Sequence, residues 1–124
     1  MKKINTDKAP AAIGPYSQAI EHEGMIYVSG QLPIDPATGT FPEGGVAELT
    51  RQSMNNISAI LEAAGSGMDK VVKTTIFVQD LGDFGVVNEA YAAFFGETAP
   101  ARACVQVAAL PKGAKLEIEA IAYK

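Results

Sequence analysis

Two different spacings of apolar residues occur along this chain, and each predicts its own kind of element. From Val46 to Ala64 the apolar positions recur every three or four residues, which predicts a helix with one apolar face that Gly65 ends. A second helix is predicted to begin after Asp83, its N-cap, and to end at Gly96. Runs that are β-branched, aromatic or alternating in polarity predict strands at 16–21, 25–29, 70–79, 101–109 and 115–123, with residues 2–4 as a further candidate.

The resulting order, ββαβαββ, predicts an α/β (α+β) domain in which a mixed sheet has two helices packed on one face. The other face of the sheet then meets water or a partner. Alternation places Arg102, Cys104 and Gln106 on one side of their strand. It likewise places Glu117 and Glu119 on one side of the last strand. We therefore expect the face away from the helices to be mixed and to contain ionisable groups, which suits contact between subunits; plain exposure to solvent is the alternative.

The composition is that of one ordinary globular domain over residues 1–124. Hydrophobic residues make up 48% of the chain, and no apolar run is long enough to span a bilayer. The first residues are basic but lack the apolar stretch of a signal peptide. We therefore expect a cytoplasmic protein that has no membrane partner.

Charge and the rare reactive residues narrow the chemistry further. The formal net charge is −4 and the ten Lys and Arg residues are scattered, whereas nucleic-acid binding needs clustered cations. Nucleic acid is therefore not an expected partner. Cys104 and His22 are the only cysteine and histidine, too few for a zinc site, so no metal is expected. Any catalysis should rely on side chains, backbone and water.

Arg102 and Glu117 are the strongest candidates for chemistry. The guanidinium of Arg102 offers a planar fork of donors that fits a carboxylate. The carboxylate of Glu117, in a partly dry pocket, can orient a water molecule and move a proton. Each has a plain alternative: Arg102 as a surface arginine on an edge strand, and Glu117, with Glu119, as a solvated pair on an exposed strand.

Several other polar residues are weaker candidates. Asn88 falls among the apolar residues of the second helix, so its amide should find a partner in a ligand, a neighbouring chain or a nearby loop. Cys104 lacks an activating histidine and is expected to form a pocket wall rather than act as a nucleophile. His22 is expected to be a surface residue. Tyr16 and Ser29 are hydroxyls at strand termini, where pockets often form.

Six segments together resemble the RidA/YjgF family. They are Ala-Ile-Gly-Pro-Tyr-Ser-Gln-Ala (12–19), Val-Ser-Gly-Gln-Leu-Pro (28–33), Val-Val-Lys-Thr-Thr-Ile-Phe-Val (71–78), Val-Asn-Glu-Ala-Tyr-Ala-Ala-Phe-Phe (87–95), Pro-Ala-Arg-Ala-Cys-Val (100–105) and Glu-Ile-Glu-Ala-Ile-Ala (117–122). Each segment alone is a modest signal, whereas six in the right order are specific for the family.

The resemblance implies a chorismate-mutase-like fold, a homotrimer with pockets at subunit interfaces, and no cofactor. It also implies a 2-iminobutanoate/2-iminopropanoate deaminase, which hydrolyses enamines and imines such as 2-aminoacrylate, released by pyridoxal-phosphate enzymes, to 2-keto acids and ammonia. A regulatory trimer that binds a small metabolite without turnover is the rival interpretation. A ribonuclease or translation inhibitor is a third, and the acidic net charge and single histidine argue against it.

Carried over by position, the resemblance assigns roles to individual residues. Arg102 is similar to the arginine that binds the substrate carboxylate, and Glu117 to the acid that positions the attacking water. The residues that match the substrate pocket are Tyr16, Ser29, Gly30, Asn88 and Cys104, the last not considered essential. Ala103 stands where many members have serine, and the loop 96–99 is shorter than in some members, which leaves the pocket rim and the substrate range open.

Overall fold

The computed structural model describes residues 1–124 and contains six strands and two helices. The strands are β1 (Lys2–Ile4), β2 (Ala19–His22), β3 (Met25–Gln31), β4 (Val71–Val78), β5 (Ala101–Gln106) and β6 (Leu116–Tyr123). The helices are α1 (Val46–Ala63) and α2 (Phe84–Ala92), and short 3-10 turns lie at Met68–Lys70, Leu81–Asp83 and Pro111–Gly113. The predicted order of elements is confirmed, including the strand near residues 2–4.

The six strands form one mixed sheet in the order β1-β2-β3-β6-β4-β5. Strands β4 and β5 are parallel because α2 carries the chain back between them, and all other neighbours are antiparallel. The last strand, β6, lies between β3 and β4 and so joins the two halves of the chain. This α+β arrangement, with both helices on one face, is the predicted fold class.

A β-bulge interrupts the pairing of β3 with β6. Val28 pairs with Ala120, but the next recorded pair joins Gln31 to Ile118, so β3 carries one residue more than β6 over this stretch. The extra length falls at Ser29 and Gly30. Bulges re-aim side chains and bend a strand locally; at this one the backbone of Gly30 lies against the side chain of Glu117 on β6, and the Ser29 hydroxyl bonds to the Ser17 carbonyl.

Helix α1 forms because one of its sides is apolar throughout. That side packs on β3 and β6 through Leu49, Met54, Ile57, Ile60 and Leu61, all of which are buried. The helix ends as predicted at Gly65, whose φ of 78° suits glycine. The Gly65 backbone N–H donates to the carbonyl of Glu62 and the Ser66 N–H to that of Leu61, which satisfies the last turn.

Helix α2 begins where it is predicted to begin and is shorter than predicted. Asp83 is its N-cap residue and Phe84 its first residue, but the helix ends at Ala92 rather than at Gly96. The side chain of Asp83 makes no capping hydrogen bond. The carboxylate of Asp80 accepts from the Gly82 backbone N–H at 2.8 Å and so caps the 3-10 turn that precedes the helix.

Strand boundaries differ from the prediction where neighbouring strands end. Strand β5 stops at Gln106 rather than at 109 because its only neighbour, β4, stops at Val78. Strand β2 starts at Ala19 rather than at 16, because Tyr16 lies in a turn whose N–H donates to the Gly14 carbonyl.

The two helices cover one face of the sheet and leave the other face open. The helix side carries the core, which includes Ile26, Val28, Ile76, Val78, Leu116 and Ile118. The open side leaves large apolar side chains exposed, among them Tyr27 at 47% and Tyr123 at 45%. No helix of the chain is both long and apolar enough to cross a membrane.

Candidate functional site

The two strongest candidates lie on opposite faces of the sheet. In the parallel β4–β5 ladder Arg102 aligns with Thr74, and Cys104 aligns with Ile76. Thr74 and Ile76 are buried under the helices, so Arg102 and Cys104 also face the helical layer. Glu117 alternates with buried β6 residues and faces the open side. The expectation that ionisable candidates share the face away from the helices is therefore wrong for Arg102 and Cys104.

Arg102 is surrounded by three side chains of α2, and we call these four residues the arginine half-site. The Arg102 Nη1 donates to the Asn88 Oδ1 at 2.6 Å. Its Cζ lies 5.3 Å from the centre of the Phe84 ring and 5.2 Å from that of the Tyr91 ring. Since Phe84 and Tyr91 are seven residues apart on one helix, their backbones are separated by about 10.5 Å along its axis. The guanidinium, carried by an exposed residue of the edge strand β5, therefore contacts both rings at different levels of α2.

The inner ring of the arginine half-site is tied to the sheet. The Tyr91 hydroxyl is 2.7 Å from the hydroxyl of Thr74, and both side chains are buried. Burial raises the pKa of Tyr91, while the hydrogen bond with Thr74 and the charge of Arg102 act in the opposite direction. The phenol therefore stays neutral and serves as a fixed ring beneath the guanidinium.

No carboxylate neutralises Arg102. The ion pairs of the chain are His22–Glu23, Arg51–Glu48 and Lys124–Glu21. Arg102 is held instead by an amide oxygen and two aromatic faces, all of them uncharged. Its positive charge and its remaining donors are consequently available to an anion, beside a cavity of about 440 Å³.

Glu117 is the centre of a second group of residues, Tyr16, Ser29, Gly30 and Glu117, which we call the carboxylate half-site. All four line a cavity of about 860 Å³ on the open face. Burial raises the pKa of Glu117, and the nearby charge of Glu119 raises it further. A carboxylate with raised proton affinity can accept a proton from water and release it again.

Gly30 lets the carboxylate of Glu117 lie directly against the bulge of β3. A Cβ at position 30 would be 2.7 Å from the Cδ of Glu117 and 3.0 Å from each of its oxygens, closer than such atoms can approach. The absence of a side chain at this position thus determines where the carboxylate lies.

The hydroxyl of Ser29 is also fixed by the backbone. Its Oγ donates to the Ser17 carbonyl at 2.6 Å, so its one proton is engaged and the oxygen keeps only acceptor capacity for a ligand in the cavity that Ser29 lines. The segment before β2 is held by the buried side chain of Gln18, which forms hydrogen bonds with the backbone of Thr6, Ala9 and Pro10. Together these bonds hold the turn that carries Tyr16 at the cavity.

One of the weaker candidates, Asn88, lies in other surroundings than its sequence context indicates. It is exposed rather than enclosed among apolar residues, and its partner is Arg102. Cys104 is half-buried, and burial raises the pKa of its thiol, an effect that Arg102 opposes. A thiol with a raised pKa is a poor nucleophile at neutral pH. Cys104 is not among the residues that line either of the two cavities, and its expected place in a pocket wall stays a prediction. His22 is exposed, beside Glu23.

Phe84 and Tyr91 are site residues that the sequence did not single out. Their spacing on either side of Asn88 was visible, but aromatic residues at helical spacing were attributed to the core. The structure supports that attribution for Tyr91, whereas Phe84 is 36% exposed and lies against Arg102. No group of three or more His, Cys, Asp or Glu side chains is placed to hold a metal ion.

The fold and these cavities define a small α+β protein with a cationic half-site on one sheet face and an acidic half-site on the other. The model of the endoribonuclease L-PSP family matches residues 6–124, and the chain belongs to this family, the RidA/YjgF family.

Individual relatives are similar over nearly their whole length. The 2-iminobutanoate/2-iminopropanoate deaminase of Mus musculus is 54% identical over 99% of this chain and 91% of its own. The protein of that name from Escherichia coli K12 is 55% identical over 99% of this chain and 98% of its own. Among solved structures, Escherichia coli TdcF with bound serine superposes with a TM-score of 0.95 at 48% identity, covering 100% of this chain and 99% of that one.

Proposed function

We propose that this protein is an enamine/imine deaminase that hydrolyses 2-imino acids such as 2-iminopropanoate and 2-iminobutanoate to 2-keto acids and ammonia. The observation that carries the proposal is the un-neutralised guanidinium of Arg102, held by uncharged groups beside a cavity. The names of the two deaminase relatives support the reaction, and the serine bound to TdcF supports a small ligand with a carboxylate. A cytoplasmic location is part of the proposal.

A complete site requires a second copy of the chain. Arg102 and Glu117 lie on opposite faces of one sheet, so no small ligand can contact both in a single chain. In a two-fold symmetric dimer one shared patch would have to present both half-sites, which opposite faces cannot do. Head-to-tail contact, in which the arginine half-site of one copy meets the carboxylate half-site of the next, gives a closed ring when the rotation from copy to copy closes. We propose that the ring is a trimer, as the family resemblance implies.

In this composite site Arg102 would bind the substrate carboxylate through its free donors and hold the C=N carbon in place. Glu117 of the next copy would orient a water molecule and accept its proton as the oxygen adds to that carbon. Glu117 passes this proton to the nitrogen, which gives the carbinolamine, and then carries the hydroxyl proton to the same nitrogen as the C=O bond forms and ammonia leaves. With 2-aminoacrylate, a proton first adds to the CH₂ carbon and one leaves the nitrogen, which gives 2-iminopropanoate, and the final product is pyruvate. The reaction is a hydrolysis of a C=N bond.

A coupled assay tests the proposal. A serine dehydratase generates 2-aminoacrylate, and faster appearance of pyruvate with this protein present supports catalysis. Arg102→Ala should abolish the acceleration and leave the oligomer intact by size-exclusion chromatography. The matched control is Arg51→Ala, which removes an exposed arginine that pairs with Glu48 on α1 and should keep full activity. Near-normal activity in Arg102→Ala would refute the assignment.

The same experiment separates the rival functions. A regulatory trimer would bind 2-oxobutanoate without accelerating pyruvate formation. A ribonuclease would cleave RNA and would not depend on Arg102 for a substrate carboxylate. The enzyme is favoured because the arginine and the proton-accepting carboxylate are both present in the chain.

A further inference from the structure

We infer that Phe84, with Tyr91, is a positioning residue that confines the guanidinium of Arg102 to one orientation, in which only its edge can bind a ligand. The inference rests on the proposed function and deepens it, because it identifies how the site selects a planar carboxylate. Neither ring belongs to the set of residues expected to contact the substrate.

The guanidinium of Arg102 lies close to both rings of the arginine half-site. Its Cζ lies a little over 5 Å from both ring centres, within the range of an attractive cation–π contact. The two rings come from positions seven apart on α2, so the guanidinium contacts the helix at two successive levels. Two such contacts, with the hydrogen bond to Asn88, restrict the rotation of the arginine side chain.

Most of the N–H donors of Arg102 remain free for a ligand. Asn88 accepts one proton of Nη1 in a 2.6 Å hydrogen bond, and the Cζ lies over both rings. The donors left over lie in the guanidinium plane, along its outer edge. A planar carboxylate meets such an edge with two parallel hydrogen bonds. The α2 side chains thus prepare the arginine for an acid group before a ligand arrives.

The Tyr91 ring is itself held in place by the sheet, whereas Phe84 lies nearer the surface. Tyr91 is buried and hydrogen-bonded to Thr74 on β4, and Thr74 is the residue aligned with Arg102 in the ladder. The inner ring is therefore anchored to the sheet beside the strand that carries the arginine. Phe84 is partly exposed and makes a smaller contribution to the core, so it can be changed without unfolding the protein.

The test compares variants of Phe84 by calorimetric titration of the intact oligomer with 2-oxobutanoate, a stable keto acid. Phe84→Leu keeps apolar bulk but removes the aromatic face, and should weaken binding about two- to fivefold. Phe84→Tyr restores the face and should restore affinity. The matched control Phe41→Leu changes a phenylalanine that packs on the core elsewhere, and should bind as the wild type does. All variants should keep the wild-type oligomeric state.

The outcomes are distinct. Weaker binding by Phe84→Leu with recovery in Phe84→Tyr supports the inference. Equal affinity of Phe84→Leu and wild type overturns it and leaves the proposed function standing. An equal loss in Phe84→Leu and Phe84→Tyr also overturns it, because shape rather than the aromatic face would then matter. If the wild-type protein neither binds 2-oxobutanoate nor accelerates pyruvate formation, the proposed function fails and the inference fails with it.

Discussion

A methyl group at position 30 would collide with the carboxylate on which the proposed hydrolysis depends. In Gly30→Ala the new Cβ would lie 2.7 Å from the Cδ of Glu117, and ordinary contact begins at 3.4 Å. To reach ordinary contact the carboxyl group withdraws by 0.7 Å, the difference between those distances. The φ angle at Gly30 lies outside the left-handed region, so alanine adds no backbone strain there.

The displacement should reduce the rate without unfolding the protein. Glu117 meets the new methyl group with the far end of a flexible, half-buried side chain, which can move at little cost. A misplacement of roughly 1 Å in a reacting group can slow a reaction about 100-fold. We therefore expect catalytic acceleration to fall about 10- to 100-fold. Affinity for 2-oxobutanoate should change little, because Arg102 holds the acid group.

The assay is the dehydratase-coupled formation of pyruvate, with keto acid binding and thermal unfolding measured on the same samples. Gly45→Ala is the matched control, since a Cβ there meets nothing within 4 Å. If Gly30→Ala accelerates pyruvate formation as much as the wild type does, the reasoning is refuted. Loss of the fold would refute it as well, because it would mean that the bulge needs glycine for its backbone rather than for the carboxylate.

Two further predictions concern charge. Glu117 must be ionised to accept a proton from water, and burial and Glu119 both raise its pKa, so acceleration should fall with decreasing pH through a range above that of an ordinary glutamate. Glu119→Gln removes the charge of Glu119 and should therefore move this loss of activity to lower pH. The measured quantity is the ratio of catalysed to uncatalysed hydrolysis at each pH, and an unchanged pH profile would contradict the effect of Glu119 on Glu117. Asn88→Asp would place a carboxylate where the amide oxygen now accepts from Arg102. The new carboxylate should compete with the ligand for the guanidinium and weaken 2-oxobutanoate binding about two- to fivefold. Unchanged affinity by calorimetry would contradict the need for a neutral partner of Arg102.

The architecture could be predicted from the sequence because its signals are local. The three-and-four spacing in α1 and the alternation in β6 reflect the contacts that one face of each element makes with a single core. The predicted end of α1 at Gly65 was confirmed for the same reason, since a positive φ is a requirement of one residue. The start of α2 after Asp83 was confirmed too, whereas its end at Ala92 was missed because the apolar spacing continues to Phe95. The sequence also does not show that the capping side chain belongs to Asp80, which caps the 3-10 turn before the helix.

The arrangement of the site could not be predicted from the sequence because it depends on pairing between distant strands. Alternation divides β5 into two sets of side chains but does not say which set the helices cover. That follows from the alignment of Arg102 with buried Thr74, two residues that are far apart in sequence. The role of Gly30 likewise depends on the register that brings β3 against β6.

The separation of the half-sites has a physical consequence for the proposed enzyme. A free guanidinium and a carboxylate within reach of each other in one folded chain would pair, and the pair would compete with the substrate for both charges. Here the sheet keeps Arg102 and Glu117 of one chain apart, and each is supported by uncharged neighbours or backbone: α2 side chains for the arginine, the glycine bulge for the carboxylate. In the proposed ring, the spacing between subunits sets the gap between the charges. A substrate whose acid group and C=N carbon are adjacent could then occupy that gap, with water on the carboxylate side.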